Sequence, residues 1–208
     1  GRRLMAVSLT IVLVVATVAV SWAAFNNPRL LDRLLLWPPA IDRNHQYDRL
    51  LTHGFVHADW QHLLFNMITL YFFGRAVEGV FTDLIGHAGF VLFYLSAILV
   101  AILPTYLRHR HDPRYRSLGA SGAVSAVLFA YILMAPWSLI FVFVLPVPPI
   151  LYAVVYVGYS IWMDRQGNDN VNHSAHLWGA GYGLLFTVIM EPRVIPFFLQ
   201  QLANPSFG

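Results

Sequence analysis

The chain has 208 residues, 58% apolar and only 11% charged, a composition outside the range of soluble domains of this size. Its formal net charge of +3 is too small to imply a nucleic-acid partner, and the absence of cysteine excludes disulfides and thiolate chemistry while leaving the redox compartment open. These values describe an integral, multi-pass membrane protein whose solvent is the lipid bilayer.

A span of about 20 apolar residues crosses a hydrocarbon core of about 30 Å. The first such span, residues 4–25, carries no charge. Arg2 and Arg3 before it and Ser21-Trp22-Ala23-Ala24 at its end resemble a secretion signal, but its length favours an anchor. The loop over 26–61 is rich in Leu, Arg, Asp and Pro. Leu30, Leu31, Leu34 and Leu35 stand there at helical spacing, which predicts an amphipathic element in the membrane interface.

Further spans are predicted at 62–81, 86–107, 118–135, 149–163 and 173–190. Residues 139–145 form a β-branched and aromatic run closed by Pro146-Val147-Pro148-Pro149. These prolines predict a break before the fifth span and leave the fourth connection without a defined path. No internal repeat or low-complexity segment divides the chain, which reads as one all-α polytopic domain over 1–208.

All 13 basic residues are arginine. Six alternating spans put Arg2, Arg3, Arg75 and Arg193 on the side of the N-terminus and the others opposite. Taken literally, the positive-inside rule then places the N-terminus outside. Asp32, Asp42, Asp48 and Asp59 are mixed among the arginines of the first loop, however, which points to a segment that folds on its own and weakens that count.

Two motifs carry candidate chemistry. Gly119-Ala120-Ser121-Gly122 opens the fourth span, and His176 heads the sixth, sharing a helical face with Gly179, Ala180 and Gly183. Small faces let membrane helices approach closely, which would bring Ser121 to His176. A serine hydroxyl needs such a neighbouring base. Packing alone explains a small-residue stretch around Ser121, but not an ionisable His176 inside a span, since such groups are functional by default. The GxSxG elbow of soluble hydrolases is excluded, because position 123 is Ala and no alternation of strands and helices surrounds it.

Acyl transfer also needs donors aimed at the developing oxyanion. His62 and Asn66 are four apart, on one face of the second span, and both side chains can donate. With the N–H of Ser121 they could surround one oxygen; an ordinary polar contact between helices is the competing reading of the pair.

The run from Arg49 through His53, His57 and His62 to Asn66, then Gly119-Ala120-Ser121-Gly122, then Ala175-His176 with Gly179 and Gly183, resembles the rhomboid family of intramembrane serine proteases. The resemblance covers 49–183, and its specificity lies in the combination. It implies six transmembrane helices around a water-filled cavity, and cleavage of peptide bonds in or near the transmembrane helices of protein substrates. By position it makes Ser121 the nucleophile and His176 the general base, with His62, Asn66 and the Ser121 amide as the oxyanion site. Gly119 opens the family's serine motif, and Glu78 matches a structural acidic residue at the far end of the second span. No cofactor and no metal is implied, and the family's preference is for small side chains before the scissile bond. A bacterial cytoplasmic membrane is the expected location; no sequence feature speaks to oligomeric state.

The chain departs from the family in its supporting residues. Many members carry, four residues after the serine, an aromatic that stacks on the histidine; here the position is Ser125. The ring of His176 therefore needs another support, either a hydrogen bond from Ser125 or a ring from a neighbouring helix. Asp48-Arg49 stands where bacterial members often have Trp-Arg, and His173 where an asparagine often precedes the base. A Ser-His dyad is the simpler reading, with Asp164 or Asp169 as the alternative orienting acid.

Two other readings compete. Histidines 53, 57 and 62, 173 and 176, or 109 and 111 could hold a metal in a transporter, but no HExxH, no cysteine and almost no acid within the spans accompany them. An inactive rhomboid-like scaffold would keep the helices without the dyad, yet both Ser121 and His176 are present. Tyr152, Tyr156, Tyr159 and Trp162 make the fifth span a bulky surface, suited to a lateral gate or to a lipid-facing belt.

Overall fold

The computed structural model describes residues 7–166 and 173–206. The predicted spans form as α1 (Leu9–Phe25), a long α5 (Trp60–Arg108), α6 (Ser121–Met134), α7 (Pro149–Gln166) and α8 (His173–Met190). The second and third spans are the two halves of α5, broken at Gly86, whose φ of 80° and ψ of 171° suit a residue without a side chain. Twelve residues of straight helix rise about 18 Å. The rings of Phe81 and Phe93 nevertheless meet at 4.9 Å, so the chain doubles back at Gly86 into a helical hairpin.

The first loop is structured. It contains α2 (Pro28–Leu34), α3 (Pro38–Asn44), α4 (Arg49–Thr52) and a 3₁₀ turn over His53–Phe55. The amphipathic element expected around Leu30 to Leu35 is α2, capped by the Asn27 side chain and started by Pro28. Arginines serve the loop's fold: Arg33 within it pairs with Asp48, while Arg116 and Arg110 from the α5–α6 connection pair with Asp32 and Asp42, and Asp42 also accepts from the Tyr106 hydroxyl. Arg49 is buried and donates to the carbonyls of Asp32 and Leu35 and to Gln46 Oε1.

Two elements stand outside the helices expected from sequence. Residues 139–147 form a β-hairpin, β1 (Ile140–Val142) paired antiparallel to β2 (Leu145–Val147) through a turn at Phe143, whose φ is 58°. The β-branched run thus resolves the fourth connection, and Pro146 takes a strand-edge position where a missing N–H is tolerated. A further helix, α9 (Val194–Ala203), turns away from α8 by 115°.

The bundle is turned outward in the manner expected of lipid as solvent. On α1 the buried positions are Thr10, Leu13, Thr17, Ser21 and Ala24, whereas Val12, Val15 and Trp22 are exposed. Glu78 reaches the start of α1, accepting from the amides of Leu9 (2.8 Å) and Thr10 (2.9 Å) and from the hydroxyls of Ser8 and Thr10. It satisfies orphan donors at a helix N-terminus, where a negative charge is favoured.

At the centre lies α6, buried from Gly122 through Leu128. Its 14 residues rise only about 21 Å, short of the hydrocarbon thickness, so one end begins within the protein rather than at the surface. It packs backbone to backbone on α8. A Cβ at Gly179 would lie 2.0 Å from the Gly122 carbonyl oxygen, and one at Gly183 would lie 2.2 Å from that of Ala126. Gly181, two residues from Gly179 and from Gly183, faces open space.

Gly179→Ala and Gly183→Ala are therefore expected to force α8 off α6, with a loss of about 1–3 kcal/mol or more each. Gly181→Ala should leave stability unchanged. Thermal unfolding of the three variants in detergent makes the comparison; equal midpoints for all three would contradict the seam.

Candidate active site

Ser121 is the first residue of α6, preceded by the turn Gly119-Ala120. Gly119 has a φ of 116°, a region that only glycine enters without strain. Two hydrogen bonds latch this turn to the first loop. The Gly119 amide donates to the His53 carbonyl at 2.8 Å, and the Ala120 amide donates to His57 Nε2 at 3.2 Å. His53 itself is held by Nδ1 donating to the Arg49 carbonyl at 3.0 Å.

His57 is the hub. Its Nε2 accepts from Ala120 and also lies 3.0 Å from Asn66 Nδ2, which makes Nε2 the unprotonated nitrogen and Nδ1 the donor. Nδ1 donates to Ser21 Oγ at 3.1 Å, and that hydroxyl donates in turn to the Phe55 carbonyl at 2.9 Å. One buried imidazole thus joins α1, the first loop, the first half of α5 and the serine turn. Sequence reasoning placed His53 and His57 in the rhomboid-like run without a role and otherwise weighed them as metal ligands. His53 Nδ1 and both ring nitrogens of His57 are engaged by hydrogen bonds of the fold.

Asn66 is buried and brought to within one imidazole of the serine turn. Its amide carries two N–H groups, one on His57 and the other left for a ligand. His62 lies one turn earlier, its amide capped by Asp59 Oδ1 and its Nδ1 3.0 Å from Asp59 Oδ2. A ring that donates from Nδ1 offers a second donor at Nε2 only when doubly protonated. The first bond inside α6 runs from Val124 N to Ala120 O, so the amides of Ser121, Gly122 and Ala123 have no acceptor within the helix, an arrangement suited to negative charge.

His176 is buried near the start of α8. The α6–α8 seam brings the two stretches face to face: a Cβ on Gly122 would lie 3.7 Å from the Ala175 carbonyl oxygen, so the neighbours of Ser121 and His176 are in contact. The question raised by Ser125 has a structural answer. The ring stacked on His176 is that of Tyr156 from α7, with centroids 5.6 Å apart and planes 27° apart, and the Tyr156 hydroxyl lies 3.0 Å from Ser125 Oγ.

Beside this stack a cavity of about 320 Å³ opens between α5 and α7, lined by Gln61, His62, Phe65, Tyr152, Val155, Tyr156 and Tyr159. Tyr152 and Tyr156 face inward, and Tyr152 hydrogen-bonds Thr69; Tyr159 and Trp162 are exposed. Glu78 is remote from the serine turn, at the opposite end of α1 from Ser21. Asp169, and the side chains of Asp164 and His173, lie outside what the structure describes.

Residues 44–193 match the family model described as Rhomboid domain. The chain is 34% identical over 191 residues to RHOMBOID-like protein 12, mitochondrial, of Arabidopsis thaliana, covering 84% of this chain and 55% of that protein. It is 26% identical over 182 residues to "Putative rhomboid protease YdcA" of Bacillus subtilis, covering 85% of each. It is 31% identical over 142 residues to Presenilin-associated rhomboid-like protein, mitochondrial, of Rattus norvegicus, covering 66% of this chain and 36% of that protein. The chain thus spans about half the length of the Arabidopsis relative and about a third of the rat one.

The latch makes stability depend on pH. Burial pushes His53 and His57 from 6.5 down to about 4. Between those values the unfolded chain binds protons that the folded one does not, so stability is fully present above about 6.5 and is lost as pH falls toward 4, by up to about 3 kcal/mol per histidine. The unfolding midpoint in detergent should fall between pH 7 and pH 4.5, and less steeply in His57→Gln. A flat profile in the unsubstituted protein would refute this account.

Proposed function

Because the chain belongs to the rhomboid family of integral membrane proteins, we propose that it is an intramembrane serine endopeptidase that cleaves peptide bonds in or near the transmembrane segments of other membrane proteins. The observation that carries this reading is the gathering of the serine turn and Asn66 on one imidazole, His57, with the α6–α8 seam beside it. A scaffold that only packs helices needs no glycine-specific turn at Gly119 latched under a serine.

In this mechanism Ser121 Oγ attacks the substrate carbonyl carbon while its proton passes to His176. The tetrahedral oxyanion is held by the Ser121 amide and the second N–H of Asn66, with His62 Nε2 a further donor when the ring is doubly protonated. Collapse expels the amine, which takes the proton from His176, and leaves an acyl group on Ser121. Water then adds, deprotonated by His176, and releases the acid. Water must reach Ser121, and irregular backbone such as Gly119-Ala120 is tolerated at membrane depth where it lines such a space.

Gly119, Gly179 and Gly183 serve geometry in this scheme, and Glu78 fixes the start of α1. The cavity between α5 and α7 is the proposed route for the substrate segment, since it opens next to His62 and is walled by apolar and aromatic side chains. The proposed location is a cellular membrane, the bacterial cytoplasmic membrane in the reading from sequence; one relative is from Bacillus subtilis, whereas the Arabidopsis and rat relatives carry mitochondrial names.

The test is cleavage of a transmembrane reporter in liposomes. Ser121→Ala and His176→Ala should each lower kcat by about 10³-fold or more, and Asn66→Ala by about 10²-fold. A serine-reactive fluorophosphonate should label the unsubstituted protein at Ser121. Equal cleavage by all variants would refute the assignment, and a stable, unlabelled and inactive protein would favour the scaffold.

A further inference from the structure

Ser125 is fully buried on α6, one turn beyond Ser121, where it faces α7 rather than filling the space over His176 with a ring of its own. That space is occupied by Tyr156, only 3% exposed. One face of the Tyr156 ring meets His176 at 5.6 Å, and the ring is also stacked on Phe65 from α5 at 5.8 Å with planes 7° apart. Its hydroxyl reaches Ser125 Oγ at 3.0 Å and approaches the Ser121 carbonyl oxygen at 3.5 Å. A serine on α6 and a tyrosine on α7 therefore divide between them the volume and the stacking that one aromatic on α6 could supply.

We propose that Tyr156, anchored by Ser125, is the positioning residue for the base of this enzyme, an inference that rests on the protease reading above. The ring limits the swing of the His176 imidazole about its Cβ, and the hydroxyl ties that ring to the helix carrying the nucleophile. Nucleophile and base are thereby placed relative to each other through three helices. The arrangement has a consequence that an aromatic on α6 would not have. Tyr156 also walls the cavity between α5 and α7, so the orientation of the base depends on α7 remaining docked, and a group entering that cavity bears on the ring that steadies His176.

Reporter cleavage in liposomes, fluorophosphonate labelling rate and thermal midpoint are measured for Tyr156→Leu, Tyr156→Phe and the exchange Ser125→Tyr/Tyr156→Ser. Losing the ring in Tyr156→Leu is expected to lower kcat and labelling rate by about 10²-fold, the scale of a misplaced catalytic group, with KM within about threefold. Tyr156→Phe keeps the ring and should lower kcat by only about three- to tenfold, because it loses one hydrogen bond. The exchange should recover at least about tenfold over Tyr156→Leu, since it restores a ring over His176 from α6.

Should Tyr156→Leu fail to fold, Tyr156→Phe, Ser125→Ala and their double variant decide. The hydrogen bond they share predicts similar losses in kcat for single and double variants, and unchanged kcat in all three overturns the proposal. A folded Tyr156→Leu with unsubstituted kcat overturns it as well. An unsubstituted protein that neither cleaves nor labels at Ser121 overturns the protease reading itself, which separates the two failures.

Discussion

Everything near the serine turn depends on how closely α6 and α8 approach. At Gly179 and Gly183 there is no room for a Cβ beside the carbonyls of Gly122 and Ala126, so the two backbones touch. Between membrane helices burial of apolar surface gives no net drive, because lipid tails are as apolar as leucine. Close van der Waals packing and interhelical hydrogen bonds must hold the pair instead. The seam therefore sets the distance between the N-terminal ends of two helices, where one offers Ser121 with its free amides and the other offers His176. The same closeness leaves little room for bulk on α6 or α8 at that level. Rings that fill the site come from outside the pair, Phe65 from α5 and Tyr156 from α7.

A second constraint follows from the first. A helix that begins inside the protein leaves a turn of irregular backbone at depth, and each unpaired amide there is costly. The first loop answers that need. His53 supplies a carbonyl and His57 an imidazole nitrogen to Gly119 and Ala120, while Arg49 and the Asp–Arg pairs hold the loop itself in shape. These arginines are structural groups with partners in the fold.

Long apolar runs, the Gly119 to Gly122 motif and the small face of α8 were legible because each is local: helix length, a backbone that needs glycine, and residues three and four apart leave marks within a few positions. Gly86 was legible as a boundary between two spans for the same reason. What escaped was set by contacts between distant segments. Nothing local distinguishes Tyr156 from Tyr152 or Tyr159, and only the three-dimensional register of α7 decides which ring meets His176. His57 had no assigned role, because spacing alone cannot tell an imidazole that accepts from Ala120 from one that would bind a cation. The hairpin at 140–147 had the right residues for strands, but a two-stranded ribbon in a helical chain has no support until it packs against its neighbours, as Ile140 does in the core and Phe143 does on Phe72. The α9 helix was overlooked because its ten residues are too few for a span and Glu191-Pro192-Arg193 separates them from α8.

The attachments of α7 bear on how a substrate could enter. Among the described residues α7 is fastened to the bundle through hydroxyls, Tyr152 to Thr69 at 2.5 Å and Tyr156 to Ser125 at 3.0 Å, and through ring contacts with Phe65 and Phe73. Its outer face of Leu151, Val154 and Val155 is exposed. Side-chain hydrogen bonds between membrane helices are worth on average about 0.6 kcal/mol each, and ring contacts about 0.5–1.5 kcal/mol. Moving α7 away from α5 is thus cheap compared with opening the α6–α8 seam, where backbones touch along two turns. The fold accordingly holds α6 and α8 together by backbone contact and α7 to the bundle by side chains, and it is α7 that carries the ring stacked on His176.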